Sequence, residues 1–332
     1  MVEEAFRKLR EGLLGGERLA LSKAITLVET SSPELFSFRD RLLDLVQKLP
    51  PTDSFRLAVT GVPGAGKSTL INALGLHWIR QGHKVAVLAV DPSSEVSLGS
   101  ILGDKTRMAE LAREEKAFIR PSPTRLHLGG VASSTYETIL LCEAAGYDRI
   151  LVETVGVGQS ELEAGQLTDA CLLLLVAGAG DDLQAVKRGV LEAADFIMIS
   201  KADGENRARA TAAARELQQV SSLWATRPAG NRTLVFPASS MEVKPEEGWM
   251  HLPETFLKAS KESGFFYRNR QVQEKKWFRS ILWNRMEEEL RNRKDLVRLM
   301  EDMESARQLK ASFLELTSEF RRRVQIEVKT GR

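Results

Sequence analysis

An α/β fold, with a mostly parallel sheet flanked by helices on both faces, is what this sequence predicts, and three observations carry the prediction. Between Phe55 and about Ser240, short apolar runs alternate with amphipathic stretches, the pattern of strands joined by crossover helices. The first run, Phe55–Thr60, stops where Gly61-Val62-Pro63-Gly64-Ala65-Gly66-Lys67-Ser68 begins, a complete G-x-x-x-x-G-K-[ST] loop. Two later runs end on carboxylates, Asp91 and Glu153, at the carboxyl edge where open α/β sheets bind ligands.

The elements follow in order. Residues 1–50 read as a helical N-terminal extension. Phe6, Leu9 and Leu13, then Ile25 and Val28, recur at helical spacing, and Leu35, Phe36, Leu42, Leu43 and Val46 mark a further helix after the Ser31-Ser32-Pro33 start signal. Pro50-Pro51 punctuates the chain before residues 51–241, the nucleotide-binding domain. Strands are expected near 55–60, 84–90, 117–120, 149–153, 171–177, 195–200 and 233–237, with helices over 67–81, 133–145, 182–193 and 205–220. Residues 242–332 form a C-terminal helical extension: a helix from Pro253, then a stretch from Phe265 to Val324 without strand signal, carrying Trp277, Ile281, Trp283, Met286 and Leu290. Leu309, Phe313, Leu316, Phe320 and Val324 make a narrow apolar seam that needs a partner, and the chain's own core and a second subunit fit the spacing equally.

Composition bounds the function. The 332 residues are 43% hydrophobic and 28% charged, ordinary for a globular protein. With 47 basic and 45 acidic residues the net charge is +2, so no bulk field favours nucleic acid or membrane. The two cysteines, Cys142 and Cys171, lie in apolar segments outside any C-x-x-C pair and read as reduced core residues. Met1–Arg7 lacks a signal-peptide pattern and no apolar stretch is long enough to span a bilayer, so a cytoplasmic location is expected.

The loop from Gly61 to Ser68, with Thr69 beyond it, carries the chemistry. A strand feeding a tight glycine turn and then a helix aims backbone N–H groups and a positive helix end at phosphate. Lys67 is placed to reach the β- and γ-phosphates, and the Ser68 hydroxyl to bind Mg²⁺. Asp91 is a second candidate for the cation, an N-cap or turn role being the alternative. Asp104 lies in the polar Gly103–Arg107 segment, which can move over a γ-phosphate with Lys105 or Arg107 offsetting charge. Glu153 closes a buried strand and Gly156 follows three positions later, a spacing that suits a carboxylate in the metal shell and a backbone N–H sensing the γ-phosphate. Gln159 is a candidate to orient water.

The base is read from Ser200-Lys201-Ala202-Asp203. A carboxylate there accepts hydrogen bonds from the N1–H and 2-amino groups of guanine, whereas adenine has an acceptor at N1 and no 2-amino group, so Asp203 argues for GTP. The Lys201 stem can lie along the base, and Ser239, after the last strand, places a small polar group beside it.

With these pieces in order the chain resembles the MeaB/ArgK family of P-loop GTPases, chaperones of adenosylcobalamin-dependent acyl-CoA mutases. The resemblance rests on Ala89–Ser94 (AVDPSS), Gly99–Met108 (GSILGDKTRM), Phe118–Pro123 (FIRPSP), Leu128–Ala132 (LGGVA), Ile150–Glu161 (ILVETVGVGQSE) and Gly180–Gly189 (GDDLQAVKRG). It implies a P-loop NTPase fold and a Mg²⁺ shell of Ser68, Asp91, Asp104 and Glu153. It also implies that Gly178–Lys187 is an additional switch facing the mutase, with Lys187 a candidate to approach the nucleotide. The helical flanks resemble the family's N-terminal extension and C-terminal dimerisation arm, implying a homodimer. Implied partners are the mutase, through which alone adenosylcobalamin enters, and, as a further candidate, its cobalamin adenosyltransferase. One departure stands out: the family usually carries N-K-x-D where this chain has Ser200. Weaker nucleotide affinity is expected, with guanine preference retained through Asp203.

Three other readings compete. A kinase acting on a small molecule or transport protein shares the phosphate loop, but Asp203 disfavours it. A nickel-insertion GTPase needs clustered ligands, whereas His77, His83, His127 and His251 are scattered. A binding module with a dead site fits poorly with Lys67, Ser68, Asp91 and Glu153 all in place.

Overall fold

Strand β1, Phe55–Gly61, is buried along its whole length, which is why it reads as an apolar run and not an alternating one. The computed structural model describes residues 2–30, 32–91, 108–123, 130–154, 160–177, 188–224, 232–241 and 248–292. Around β1 stand β2 (Val85–Asp91), β3 (Ala117–Pro123), β4 (Arg149–Thr154), β5 (Ala170–Val176), β6 (Phe196–Ser200) and β7 (Leu234–Pro237). They form one parallel sheet in the order β3-β2-β4-β1-β5-β6-β7. The chain leaves β1 for β2 and β3 on one side, returns as β4 against β1, then crosses to β5 on the other side. β1 is therefore the switch point of the sheet, and the crevice at its carboxyl end is the place such folds bind ligands.

Three helices precede the sheet: α1 (Val2–Leu14), α2 (Arg18–Val28) and α3 (Phe36–Gln47). Along the sheet follow α4 (Lys67–Arg80), α5 (Gly130–Ala144), α6 (Ser160–Leu167), α7 (Arg188–Ala193) and α8 (Arg207–Ser221), then α9 (Leu252–Glu262) and α10 (Phe265–Asn292). On one face, α4 buries Leu70, Ile71, Leu74 and Trp78, one helical stripe, against Leu57, Val59, Val85 and Val87. The Trp78 ring meets Phe55 edge-on at 6.4 Å between centroids. On the other face α5 packs on β2, and α2 and α3 pack in turn on α5. Leu21, Ile25 and Leu42 are fully buried there, so the N-terminal helices bury their own apolar face rather than leaving it to solvent. Among the described residues no helix is long and apolar enough to cross a membrane.

The molecule divides into two compact units, Met1–Trp277 and Phe278–Arg332. In the first, the start of α10 is keyed into the sheet by buried charge. Arg270 reaches Asp169 through Nε and Nη2, both at 2.7 Å, and Glu143 through Nη1 at 2.9 Å. Arg56, the second residue of β1, also grips both Glu143 oxygens at 2.7 and 2.8 Å and donates to the Gln273 side chain at 3.2 Å. Ser54 donates to Glu143 as well, and Gln273 donates to the Thr168 carbonyl at 2.8 Å. Burial pushes the Glu143 carboxyl up, but the Arg56 and Arg270 charges and the hydrogen bonds from Arg56 and Ser54 overcome it and hold the group at about 2. In the second unit the helix is described to Asn292, and Phe278, Leu282 and Trp283 are exposed on it. The seam from Leu309 to Val324 lies outside the described residues.

Candidate nucleotide site

The phosphate loop is set by its glycines. Gly61, the last residue of β1, has φ of 143°, and a Cβ there would lie 2.3 Å from the Leu174 carbonyl oxygen of β5. Gly66 caps α4 in the left-handed conformation, φ 93°, where a side chain is disfavoured. Gly61→Ala is expected to push β1 from β5 and distort the loop, weakening nucleotide binding at least tenfold (about 1.4 kcal/mol, within the range for backbone strain). Wild-type affinity in a fluorescent GDP titration would contradict this.

Lys67 opens α4 with its side chain folded back over the loop. Its Nζ donates to the carbonyls of Gly61 at 2.8 Å and Val62 at 3.2 Å. The amine is buried, with Pro63 and Gly64 exposed at the tip of the loop, Ala65 buried beneath it and Thr69 half-buried after it. Cation and helix N-terminus thus converge where a polyphosphate would sit.

Ser68, one residue on, donates from Oγ to Glu153 Oε1 at 3.0 Å. Strand pairing explains the meeting: Glu153 of β4 is in register with Val59 of β1 on one side and Ala89 of β2 on the other. Asp91 lies two residues beyond Ala89, at the end of β2, so both predicted carboxylates fall at the same sheet edge. The buried Ser68 hydroxyl and Glu153 carboxylate fit a hard divalent cation such as Mg²⁺. Thr154 and Thr60 share a hydrogen bond of 2.9 Å between hydroxyls, tying the end of β4 to the start of the phosphate loop.

The second half of the site is the loop after β6. Ser200 is buried, and its Oγ donates to the Leu175 carbonyl at 3.0 Å. Lys201 is exposed and has φ of 56°; among the described residues it is the one non-glycine with positive φ. Asp203 accepts a hydrogen bond from the Ser239 hydroxyl, and Ala202 N–H reaches the Ala238 carbonyl at 3.2 Å. Lys201, Asp203 and Ser239 therefore share one loop pair, as the sequence suggests. Asn206 belongs to this loop too and was not singled out by sequence: its side chain bonds the Lys201 carbonyl. Its signal was an asparagine three residues after Asp203 at the head of a helix. Asp104, Gly156, Gln159, Lys187 and the Gly178–Lys187 segment lie outside the described residues.

A parallel sheet with a glycine-rich loop and lysine-headed helix at its switch point defines a P-loop NTPase. Comparison with known proteins sharpens that class. The model for "Methylmalonyl Co-A mutase-associated GTPase MeaB" matches residues 21–295, and the chain belongs to this MeaB/ArgK family of GTPases. It is 52% identical over 236 residues to a probable GTPase of Mycobacterium tuberculosis, covering 70% of this chain and 69% of the relative. GTPase ArgK of Escherichia coli is 45% identical over 276 residues, 83% of this chain and 82% of that one. The methylmalonic aciduria type A homolog, mitochondrial, of Mus musculus is 42% identical over 297 residues, 85% of this chain and 69% of that one. Among solved structures, one described as a LAO/AO transport system kinase superposes with a TM-score of 0.72 at 33% identity, covering 97% of this chain and 98% of its own. The enzyme is a GTPase, hydrolysing GTP to GDP and phosphate.

Proposed function

We propose that this GTPase is a Mg²⁺-dependent, cytoplasmic chaperone of an adenosylcobalamin-dependent acyl-CoA mutase, gating cofactor loading and protecting the mutase from inactivation. The observation that supports this most is the match over residues 21–295 to a family described by its association with methylmalonyl-CoA mutase. Cobalamin adenosyltransferase is the further partner of this reading. Residues 1–50 are taken as the N-terminal extension, 51–241 as the G domain and 242–332 as the arm that joins a homodimer. The exposed Phe278, Leu282 and Trp283 suit such a contact.

In the proposed cycle, Lys67 leaves the Gly61 and Val62 carbonyls for the β- and γ-phosphate oxygens of GTP. Ser68 and Glu153 hold the cation together with Asp91 and Asp104, and Mg²⁺ when bound neutralises phosphate charge. The Gly156 N–H senses the γ-phosphate, Gln159 orients the attacking water, and Lys187 approaches the nucleotide from the Gly178–Lys187 switch. Water oxygen bonds to the γ-phosphorus as the bond to the β–γ bridging oxygen breaks, with no covalent intermediate. At the other end Asp203, steadied by Ser239, accepts from the guanine edge while the Lys201 stem covers the ring.

Two measurements on the full chain test this. Excess EDTA is expected to abolish release of phosphate from GTP, and added Mg²⁺ to restore it; hydrolysis that persists in EDTA contradicts the metal role. With γ-labelled GTP the label is expected as free phosphate, and its appearance on an acceptor would instead support a kinase.

A further inference from the structure

The loop that would read the base is held in an unusual way. Lys201 carries a Cβ yet sits at φ 56°, a backbone conformation that side chains disfavour and that persists only where surroundings impose it. Ser200, standing where the family's asparagine would, does not impose it: its hydroxyl is engaged with the Leu175 carbonyl on β5. Asn206 does contact the segment. Its Nδ2 donates to the Lys201 carbonyl at 2.8 Å, and its backbone N–H donates to the Asp203 carbonyl at 3.0 Å. The backbone bond is that of the 3-10 turn Gly204–Asn206, and the side-chain bond to the Lys201 carbonyl is the one that depends on asparagine. The amide orientation is fixed by chemistry, because only the nitrogen can donate to a carbonyl.

Asn206 ends the 3-10 turn Gly204–Asn206 that leads into α8, with helical backbone angles of φ −79° and ψ −12°, so its side chain is not in the geometry that caps a helix. Here it makes no side-chain cap bond. Its amide is free of that role and closes the loop through the Lys201 carbonyl. Lys201 is thereby kept in the left-handed turn and Asp203 beside Ser239, the pair of positions on which base recognition depends.

We infer that Asn206 is a specificity-determining positioning residue: it fixes the Lys201–Asp203 loop so that the Asp203 carboxylate discriminates guanine by its 2-amino group. The inference rests on the reading of Asp203 as the base-reading carboxylate, and the experiment separates the two. GDP and IDP carry identical phosphates and differ only in the 2-amino group. Their affinities for the full-length protein are measured by competition against a fluorescent GDP analogue, with the thermal midpoint recorded for each variant.

The wild type is expected to favour GDP over IDP by roughly tenfold or more, and Asp203→Ala to bring the ratio near one. Asn206→Ala removes the donor and is expected to cut the GDP:IDP ratio about threefold to tenfold, the worth of one hydrogen bond. Asn206→Asp places an oxygen against the Lys201 carbonyl and is expected to cut it further. Neither substitution should lower the thermal midpoint greatly, since Asn206 is half-exposed. If Asp203→Ala collapses the ratio while both Asn206 variants keep the wild-type ratio, the inference is overturned and the reading of Asp203 stands. Equal loss of affinity for GDP and IDP in the Asn206 variants, or a lowered midpoint with the ratio unchanged, overturns it as well. A wild-type ratio in Asp203→Ala removes the reading of Asp203 and the inference with it.

Discussion

Lys67→Ala is expected to lower the rate of GTP hydrolysis by about a hundredfold to a thousandfold, the scale of losing one preorganised group that stabilises developing charge. The lysine amine is buried and held by the loop's own carbonyls, Gly61 and Val62. It is thus held at the phosphate loop, and in the proposed cycle it exchanges these two carbonyls for phosphate oxygens when the nucleotide arrives. Alanine removes both the charge that offsets the γ-phosphate and the donor that closes the loop, so GTP affinity should fall together with the rate. Phosphate release in a single turnover at saturating Mg-GTP measures the chemistry apart from binding. A rate within threefold of wild type would show that Lys67 does not act on the transferred group.

Arg270→Met is expected to have the largest effect on stability, about 3–5 kcal/mol, because removal of one partner leaves buried carboxylates uncompensated. Arg270 bridges Glu143 of α5 and Asp169 at the start of β5, and Asp169 also accepts the β1 backbone N–H of Arg56 at 2.8 Å. The base of α10 is therefore fastened to the sheet through ionic contacts, and its loss should lower the thermal midpoint by roughly 10 °C. The pH dependence gives a second readout. Glu143 is held at about 2, below its unfolded range near 4.5, so its ion pairs contribute fully above about pH 5 and are lost as pH falls towards 2. The gap between wild type and Arg270→Met should be widest at neutral pH and narrow on acidification. A gap that is small at pH 7, or that grows as pH falls, contradicts this account of the network.

Strands β1, β4, β5 and β6 were legible because they are buried almost along their whole length and so appear as short, mostly apolar runs, whereas β7 exposes Leu234 and was legible only from its position after α8. Helices α4, α5 and α8 were legible from their periodicity, whereas the expected 182–193 helix is described only over Arg188–Ala193. Helix α6 was not foreseen. Its eight residues, Ser160–Leu167, include Gly165 and span little more than two turns, too short a stretch to show a period. In the site, Gly61 to Ser68 could be read directly, since the backbone chemistry of phosphate binding demands glycines, lysine and serine at fixed spacing. Ser68 and Glu153 each read as a candidate for the cation, one from the loop and one from the strand end, but their direct contact across 85 residues was not legible.

The buried network had no such signature. Arg56 lies within an apolar strand, and its partners Glu143 and Gln273 stand 87 and 217 residues away, so no local spacing reports their meeting. Asn206 was hidden for a different reason. In sequence it is an ordinary asparagine at the head of a helix, and only the φ of Lys201 and the hydrogen bond to the Lys201 carbonyl reveal that its amide is engaged with the loop. Ser200 was visible as a departure from the family's N-K-x-D pattern, and its contact with Leu175 places its hydroxyl on the neighbouring strand.

The central claim, that this GTPase is a switch acting on an acyl-CoA mutase, is tested most directly by GTP hydrolysis in the presence of that enzyme. The full-length protein is mixed with saturating adenosylcobalamin-dependent mutase recovered from the same organism, and phosphate release is followed alongside nucleotide-dependent co-purification. The expected result is a faster hydrolysis rate with mutase than without, and a complex whose recovery differs between GDP and a non-hydrolysable GTP analogue. An unchanged rate, together with no nucleotide-dependent complex, would contradict the claim.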